Sequence, residues 1–154
     1  MVENQFDALD YRILKELSNN ARIAFSTLAE QMNVSNSLIH QRVKKLQDSG
    51  VLEQSVYQLN AELLGYESSA YTQVMVSNAR YIDSIIKALE HIPEIVECTN
   101  IAGRYALLVK IIARNNTHLR DVIYDRIQVI EGVESTNTTF AFETSFRRPM
   151  SVDL

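Results

Sequence analysis

The chain has 154 residues, of which 46% are hydrophobic and 22% are charged. That composition excludes an intrinsically disordered chain, and the length suits one medium domain or two small ones. The net charge is −4, from 15 Lys and Arg against 19 Asp and Glu. A strongly basic nucleic-acid-binding protein is thereby excluded, so any contact with DNA has to come from a locally basic surface.

The sequence also limits where the protein can be located and whether it can form a disulfide. The sequence has no cationic-then-apolar leader and no apolar run long enough to cross a bilayer. Cys98 is the single cysteine, so no intrachain disulfide can form. Because Cys98 lies inside an apolar strand pattern, we predict an inert core thiol. We expect a soluble cytoplasmic protein with no membrane partner.

The first 59 residues are predicted to form a small helical DNA-binding domain. Met1–Phe6 is expected to be a loosely held tail, and Asp7 or Asp10 can cap a first helix. A second, short helix is predicted over Ser26–Met32. Apolar residues at helical spacing give the three helices a shared core, made from Leu9, Ile13, Leu17, Leu28, Met32, Ile39, Val43 and Leu46.

The third helix carries the strongest functional signal. Asn33 and Val34 are predicted to form a tight turn, after which Ser35 is a natural N-cap. Gln41 is a candidate for bonding base edges, and His40 for a base or a phosphate. A helix, a turn and a second helix with a basic outer face fit a DNA major groove. The predicted DNA-binding residues are Ser35, Asn36, Ser37, His40, Gln41, Arg42, Lys44 and Lys45.

Within that set, Arg42, Lys44 and Lys45 are predicted to hold phosphates. Removing Lys44 or Lys45 should then weaken binding to all sequences and flatten its salt dependence. The alternative is that the helix packs in the core of the domain and that its polar face is solvated and contacts no DNA. Beyond this helix, Val51–Leu59 alternates like a strand, with Val56 and Leu59 as inward candidates. This strand would either make the domain a winged variant with a short wing or only bridge to the segment that follows.

Residues 60–66 are predicted to be a hinge, and 67–154 a second domain. The pattern there predicts an order of strand, helix, strand, strand, helix and strand. These elements are Ser69–Ser77, Tyr81–Ile92, Ile95–Ile101, Tyr105–Ala113, a helix capped by Asn116 or Thr117, and Val133–Phe142. This βαββαβ order predicts a ferredoxin-like domain and an α+β fold overall.

The third strand of that domain predicts self-association. Leu107, Val109 and Ile111 should face one way, and Leu108 and Ile112 the other, where Lys110 is the polar exception. A sheet with helices on one face only should be polar on the other face. Two apolar faces therefore predict a homodimer or higher oligomer through the open sheet face.

Four stretches together resemble the Lrp/AsnC (feast/famine) family of transcription regulators. They are FDALDYRILKEL at Phe6–Leu17, the helix-turn-helix at Leu28–Leu52, LNAELLG at Leu59–Gly65, and GVESTNT at Gly132–Thr138. The resemblance implies a sequence-specific regulator that binds double-stranded DNA, forms dimers that assemble into octamers, and responds to an amino acid or related metabolite.

The resemblance also places an effector site, at Gly103, Arg104, Tyr105, Ala106, Thr136 and Thr138. In the family the loop between the second and third strands usually reads Gly-Asp-Tyr-Asp, whereas this chain has Gly103-Arg104-Tyr105-Ala106. A carboxylate there would suit an amino acid's ammonium group, and Arg104 would instead suit a carboxylate. The identity of the effector therefore stays open.

Other classes of function are less well supported. No nucleophile elbow, phosphate-binding glycine loop or metal-ligand spacing occurs in the sequence, so we expect no catalytic residue, no metal and no cofactor. Two alternatives stay open beside the effector-controlled regulator. One is an effector-independent or architectural DNA-binding protein, and the other is a helix-turn-helix used for protein contacts.

Overall fold

The computed structural model describes residues 5–152, which form two units. The first unit contains the chain up to Gln58 together with the segment from Phe146, and the second is Leu59–Ser145. Residues 1–4 of the expected tail, and 153–154 at the other end, lie outside the described residues. Within the described part, no helix is long and apolar enough to cross a membrane.

Three helices make up the first unit: α1 (Ala8–Asn19), α2 (Phe25–Met32) and α3 (Asn36–Asp48). The N-cap of α1 is Asp7, whose carboxylate accepts from the backbone N–H of Asp10, while the Asp10 carboxylate accepts from that of Asp7. This reciprocal capping box satisfies two donors that have no partner within the helix.

The turn between α2 and α3 has the predicted form. Asn33 adopts a left-handed backbone conformation, with φ of 55°, and as the C-cap it ends α2. Ser35 then caps α3 by accepting a hydrogen bond from the N–H of Leu38 at 3.2 Å. The predicted apolar residues form the core of the unit, with Ile13, Leu28, Ile39 and Leu46 completely buried.

The strand predicted over Val51–Leu59 is wrong. The described residues there form no ladder, and the supposed inward residues Val56 and Leu59 are 77% and 76% exposed. A strand needs a neighbour to pair with its backbone, and alternation alone supplies none. A short 3₁₀ turn at Glu62–Leu64 and a left-handed Gly65 follow, in the segment predicted as a hinge.

The second unit contains a four-stranded antiparallel sheet. Its elements are β1 (Ser68–Val76), α4 (Ile82–Glu90), β2 (Ile95–Asn100), β3 (Leu107–Ala113), α5 (Asn116–Asp121) and β4 (Val133–Ala141). The strand order is β2-β3-β1-β4, with every neighbouring pair antiparallel. This is the ferredoxin-like order that the sequence predicts.

Helix α5 differs from the expectation in two ways. Its cap is Asn115, which accepts from the N–H of His118 at 2.8 Å, rather than Asn116 or Thr117. Asn115 is extended and has a short carbonyl side chain, so it is as good a cap as its neighbours. After Asp121 the helix widens into a π-helical turn, Val122–Ile127, before the chain reaches β4.

One face of the sheet packs on the helices, and the other is open. Val74, Leu107, Val109 and Ile111 are completely buried on the helix side. The core thiol predicted at Cys98 is wrong, because β2 is an edge strand and this side chain is exposed. The thiol is nevertheless partly desolvated by its neighbours, and this desolvation raises the pKa of Cys98.

The end of the chain departs from the predicted second domain, 67–154. The segment from Phe146 groups with the helical unit, and its Val152 packs against the helical core. Most of this segment is exposed, including Phe146 and Met150. An apolar residue flanked by polar ones near a terminus has no periodicity, so the sequence pattern could not assign it to either core.

Candidate DNA-binding surface and ligand cleft

Helix α3 presents most of the predicted DNA-binding residues to solvent. Asn36, Ser37, His40, Gln41 and Lys44 are exposed. They share the face opposite the buried Ile39, Val43 and Leu46, because a helix places residues three and four apart on one side. This exposed row can reach base edges or phosphates in a groove.

Two of the predicted DNA-binding residues, Ser35 and His40, contact other residues of the same unit. The Ser35 hydroxyl caps α3 and lies 3.0 Å from the Ser37 hydroxyl. The His40 ring packs edge-on against Phe25 of α2, with the ring centroids 4.8 Å apart. Both contacts restrict where these side chains can point, so the helix presents them in a fixed arrangement.

Arg42 and Lys45 lie on the side of α3 that faces α1, and we define them with Asp7 and Asp10 as the acid–base clamp. Arg42 Nη1 donates to Asp7 at 2.6 Å and to Asp10 at 3.1 Å. Lys45 Nζ donates to the second oxygen of Asp10, also at 3.1 Å. Asp10 is completely buried, so this carboxylate accepts three hydrogen bonds away from water.

The clamp changes the charge available to DNA. The hydrogen bond from the backbone of Asp10 and that from Arg42 lower the pKa of the Asp7 carboxyl. The same pair of acids raises the pKa of Arg42. Two of the three cations on α3 are therefore paired with acids of the same unit, although Lys45 is still exposed, and Lys44 is the cation outside the clamp.

The residues predicted as an effector site fall in two places in the second unit. Gly103, Arg104, Tyr105 and Ala106 form the β2–β3 loop, in which the Arg104 guanidinium lies 5.8 Å from the centre of the Tyr105 ring. Thr136 and Thr138 lie on β4, on the strand positions that face the helices. The loop residues are not among those that line the cleft around the two threonines.

That cleft, which we call the β4 cleft, has a volume of about 280 Å³. The lining is apolar at Leu119, Ile123 and Phe140 and polar at Asn116, Arg120, Tyr124, Gln128, Thr136 and Thr138. Gln128 Nε2 donates to the Thr136 hydroxyl at 2.7 Å, and the Thr138 hydroxyl lies 2.9 Å from that of Thr72. A lining that combines apolar residues with a few polar groups is the usual make-up of a small-molecule site.

The residues that α5 and the π-helical turn contribute to this cleft were not predicted from the sequence. Asn116, Arg120, Tyr124 and Gln128 recur at steps of four, a polar row beside the apolar stripe of the same helix. The π-helical turn keeps that row facing β4, since the N–H of Gln128 bonds the carbonyl of Ile123 five residues earlier. Within residues 5–152, no group of three or more acidic, His or Cys residues could hold a metal ion.

Both units match known protein families. A family model described as winged helix-turn-helix DNA-binding matches residues 6–53, and one described as the Lrp/AsnC ligand binding domain matches residues 69–150. The second match covers more than half of the chain. The first matched region contains α1 to α3, and the second contains the βαββαβ elements from the second residue of β1 onward.

Full-length relatives give the same result. The regulatory protein AsnC of Escherichia coli is 30% identical over 92% of this chain and 93% of its own, and its structure gives a TM-score of 0.85 over 94% of this chain and 97% of its own. The HTH-type transcriptional regulator FL11 of Pyrococcus horikoshii is 33% identical over 90% of both chains.

A third similar protein was solved with a ligand. The feast or famine regulatory protein from M. tuberculosis complexed with L-methionine is 25% identical, covers 96% of this chain and 99% of its own, and gives a TM-score of 0.87. Fold, family models and relatives agree across both units. The chain therefore belongs to the Lrp/AsnC family and is a DNA-binding transcriptional regulator.

Proposed function

We propose that this regulator reads specific sites in double-stranded DNA through the outer face of α3 and that a small metabolite controls it by binding the β4 cleft. The observation that carries the proposal is the exposed row of Ser37, Gln41 and Lys44, at steps of four and three on a helix that the acid–base clamp holds in place. In this proposal the chain acts by binding, without catalysis and in the cytoplasm.

The DNA-binding residues have different roles. Gln41 bonds base edges, for which its amide offers both a donor and an acceptor. Lys44 neutralises a phosphate. Arg42 and Lys45 hold α3 against α1, although Arg42 keeps guanidinium N–H groups beyond the nitrogen that meets the two acids. The sequence predicts that Arg42, Lys44 and Lys45 all hold phosphates. We propose that Lys44 makes the main phosphate contact.

The proposed ligand is an amino acid or a related metabolite of similar size. The cleft volume of about 280 Å³ is just below the usual range of ligand pockets, which starts at about 300 Å³, so a small ligand fits best. The related M. tuberculosis protein was solved with L-methionine, which has both the charged and the apolar part that such a cleft could hold. Arg104 and its three loop neighbours remain a proposed second contact region.

Self-association is also part of the proposal. Leu108 and Ile112 lie on the open face of β3 and are only half-buried in one chain. A second copy would cover them and would place two α3 helices for a two-fold DNA site. Assembly of dimers into octamers, which the resemblance implies, stays a prediction that sedimentation can test.

Calorimetric titration tests the ligand site. We expect heat on adding one or a few of the common amino acids, L-methionine among them, and no heat with the Gln128→Ala/Thr136→Val variant, which loses the polar bridge at one end of the cleft. Lys87→Ala, an exposed change on α4 away from the cleft lining, is the matched control. Equal binding by all three proteins would move the site away from the cleft.

A further inference from the structure

The centre of the open sheet face contains a buried lysine. Lys110 of β3 is only 6% exposed, although it points away from the helices. Its Nζ lies 5.5 Å from the centre of the Tyr71 ring on the neighbouring β1, where the ring face attracts a cation. Lysine is almost never buried to this extent without a paired charge.

No carboxylate in the described chain completes this site. Among residues 5–152, none of the ion pairs involves Lys110. Glu97 on β2 is directly opposite in register, yet its Oε1 accepts from the Thr99 hydroxyl at 3.3 Å instead. Every fully buried polar side-chain atom among the described residues has a hydrogen-bond partner. In a single chain the Lys110 ammonium can therefore remain hydrated.

A covering partner would change that balance. Closing the open face over Lys110 would remove its remaining water, and an unpaired buried ammonium is strongly unfavourable. In a two-fold dimer the same patch occurs on both copies, so the counter-charge has to come from this same face. Of the two acids in the described strands, Glu97 is in register on this face, whereas Glu134 lies at the register shift near the start of β4.

We propose that the open sheet face recognises a second copy of this chain through two symmetric ion pairs, in which Lys110 of one copy meets the carboxylate of Glu97 from the other. This inference rests on the homodimer proposed above and adds the residues that decide which chain is accepted. A related chain that lacks either charge would leave a buried ammonium or carboxylate unpaired, which disfavours the mixed dimer.

Charge reversal in separate chains tests the pairing directly. Lys110→Glu and Glu97→Lys each put like charges together in their own dimers, so each should weaken dimerisation by about 100-fold in sedimentation equilibrium without DNA. An equimolar mixture of the two variants should recover to within about tenfold of the original protein, since both pairs are then opposite in sign across the interface. Glu134→Lys is the matched control and should dimerise like the original protein, because it reverses a strand carboxylate outside the pair and leaves Lys110 and Glu97 intact.

Three other outcomes would contradict either the ion pair or the homodimer. Recovery in the double variant Lys110→Glu/Glu97→Lys, but not in the mixture, would mean a pair within one chain and would overturn the inference. Unchanged dimerisation by both single variants would overturn it as well. If the unaltered protein sediments only as a monomer, the proposed homodimer itself fails, which distinguishes the two proposals.

A second set of variants guards against misfolding. Lys110→Met keeps the apolar stem in the sheet, and Glu97→Gln keeps the size of the carboxylate side chain, so both should retain the circular dichroism spectrum. Their double-mutant cycle should show that the two changes together weaken dimerisation by no more than either alone. Independent, multiplicative effects would contradict the pairing.

Discussion

The outer face of α3 and the β4 cleft differ in how their residues are brought together. The α3 face comes from ten consecutive residues, from Ser35 to Lys44, and one cap and one apolar stripe decide which side is exposed. The cleft combines α5, a π-helical turn and β4, and its polar bridge joins Gln128 to Thr136. The proposed DNA-binding surface is thus local in sequence, whereas the proposed ligand site depends on tertiary packing.

Stability also differs between the two surfaces. Beyond the shared apolar core, the α3 face depends on the acid–base clamp between α1 and α3, in which the completely buried Asp10 is the central acceptor. The cleft lies against an extensive sheet core that includes Leu119 and Ile127. We therefore expect single changes in the clamp to affect the whole helical unit, and single changes in the cleft rim to affect only ligand binding.

The largest expected effect is on the stability of the helical unit. Asp10→Ala removes half of the capping box and leaves Arg42 and Lys45 without their shared acceptor, so the free energy of unfolding should fall by about 2–3 kcal/mol. Urea denaturation followed by circular dichroism measures it. Asp10→Asn, which keeps an acceptor, should lose less, and Glu30→Ala on the exposed side of α2 should change little.

A smaller effect separates Lys44 from Lys45 in DNA binding. Lys44→Ala should lower the slope of log affinity against log salt by about 1, because one phosphate contact is lost. Lys45→Ala should leave that slope nearly unchanged and should mainly reduce stability, since Lys45 Nζ already bonds Asp10 and the carbonyl of Gln5. Equal slopes for the two variants would contradict the division of roles, and anisotropy titrations at several salt concentrations provide the comparison.

The smallest effect is a dependence of stability on pH. The Asp7 carboxyl has a folded-state pKa below its ordinary value of 3.8, so its contribution is fully present above that value and is lost as the pH falls through the lower, folded value. Asp7→Asn should therefore flatten the acid side of the stability curve of the helical unit. A profile of Asp7→Asn that parallels the original protein below pH 4 would contradict this contribution.

Much of this architecture could be predicted from local patterns. The capped helices and the alternating strands follow from residue spacing, so their order is confirmed, and the turn at Asn33 is confirmed as well. The predictions that were wrong concern segments whose structure depends on a neighbouring strand. Val51–Leu59 alternates but has no neighbouring strand, and Cys98 is apolar in pattern but lies at a sheet edge.

The candidate sites follow the same division. The exposed row on α3 could be read from the spacing of its polar residues, but the clamp could not, because Asp10 and Lys45 are separated by 35 residues. The two cleft threonines came from the family resemblance alone. Their helical counterparts Arg120, Tyr124 and Gln128 needed the π-helical turn, which no residue pattern in the sequence indicated.

The central claim, that the outer face of α3 reads DNA sequence, is tested most directly with Gln41→Ala. Fluorescence anisotropy would compare a fragment selected from the source genome with a scrambled fragment of equal length. The original protein should prefer the selected fragment, and Gln41→Ala should lose about 1–3 kcal/mol on it while binding the scrambled fragment as before. An equal loss on both fragments, or no salt-dependent binding by the original protein, would contradict the claim.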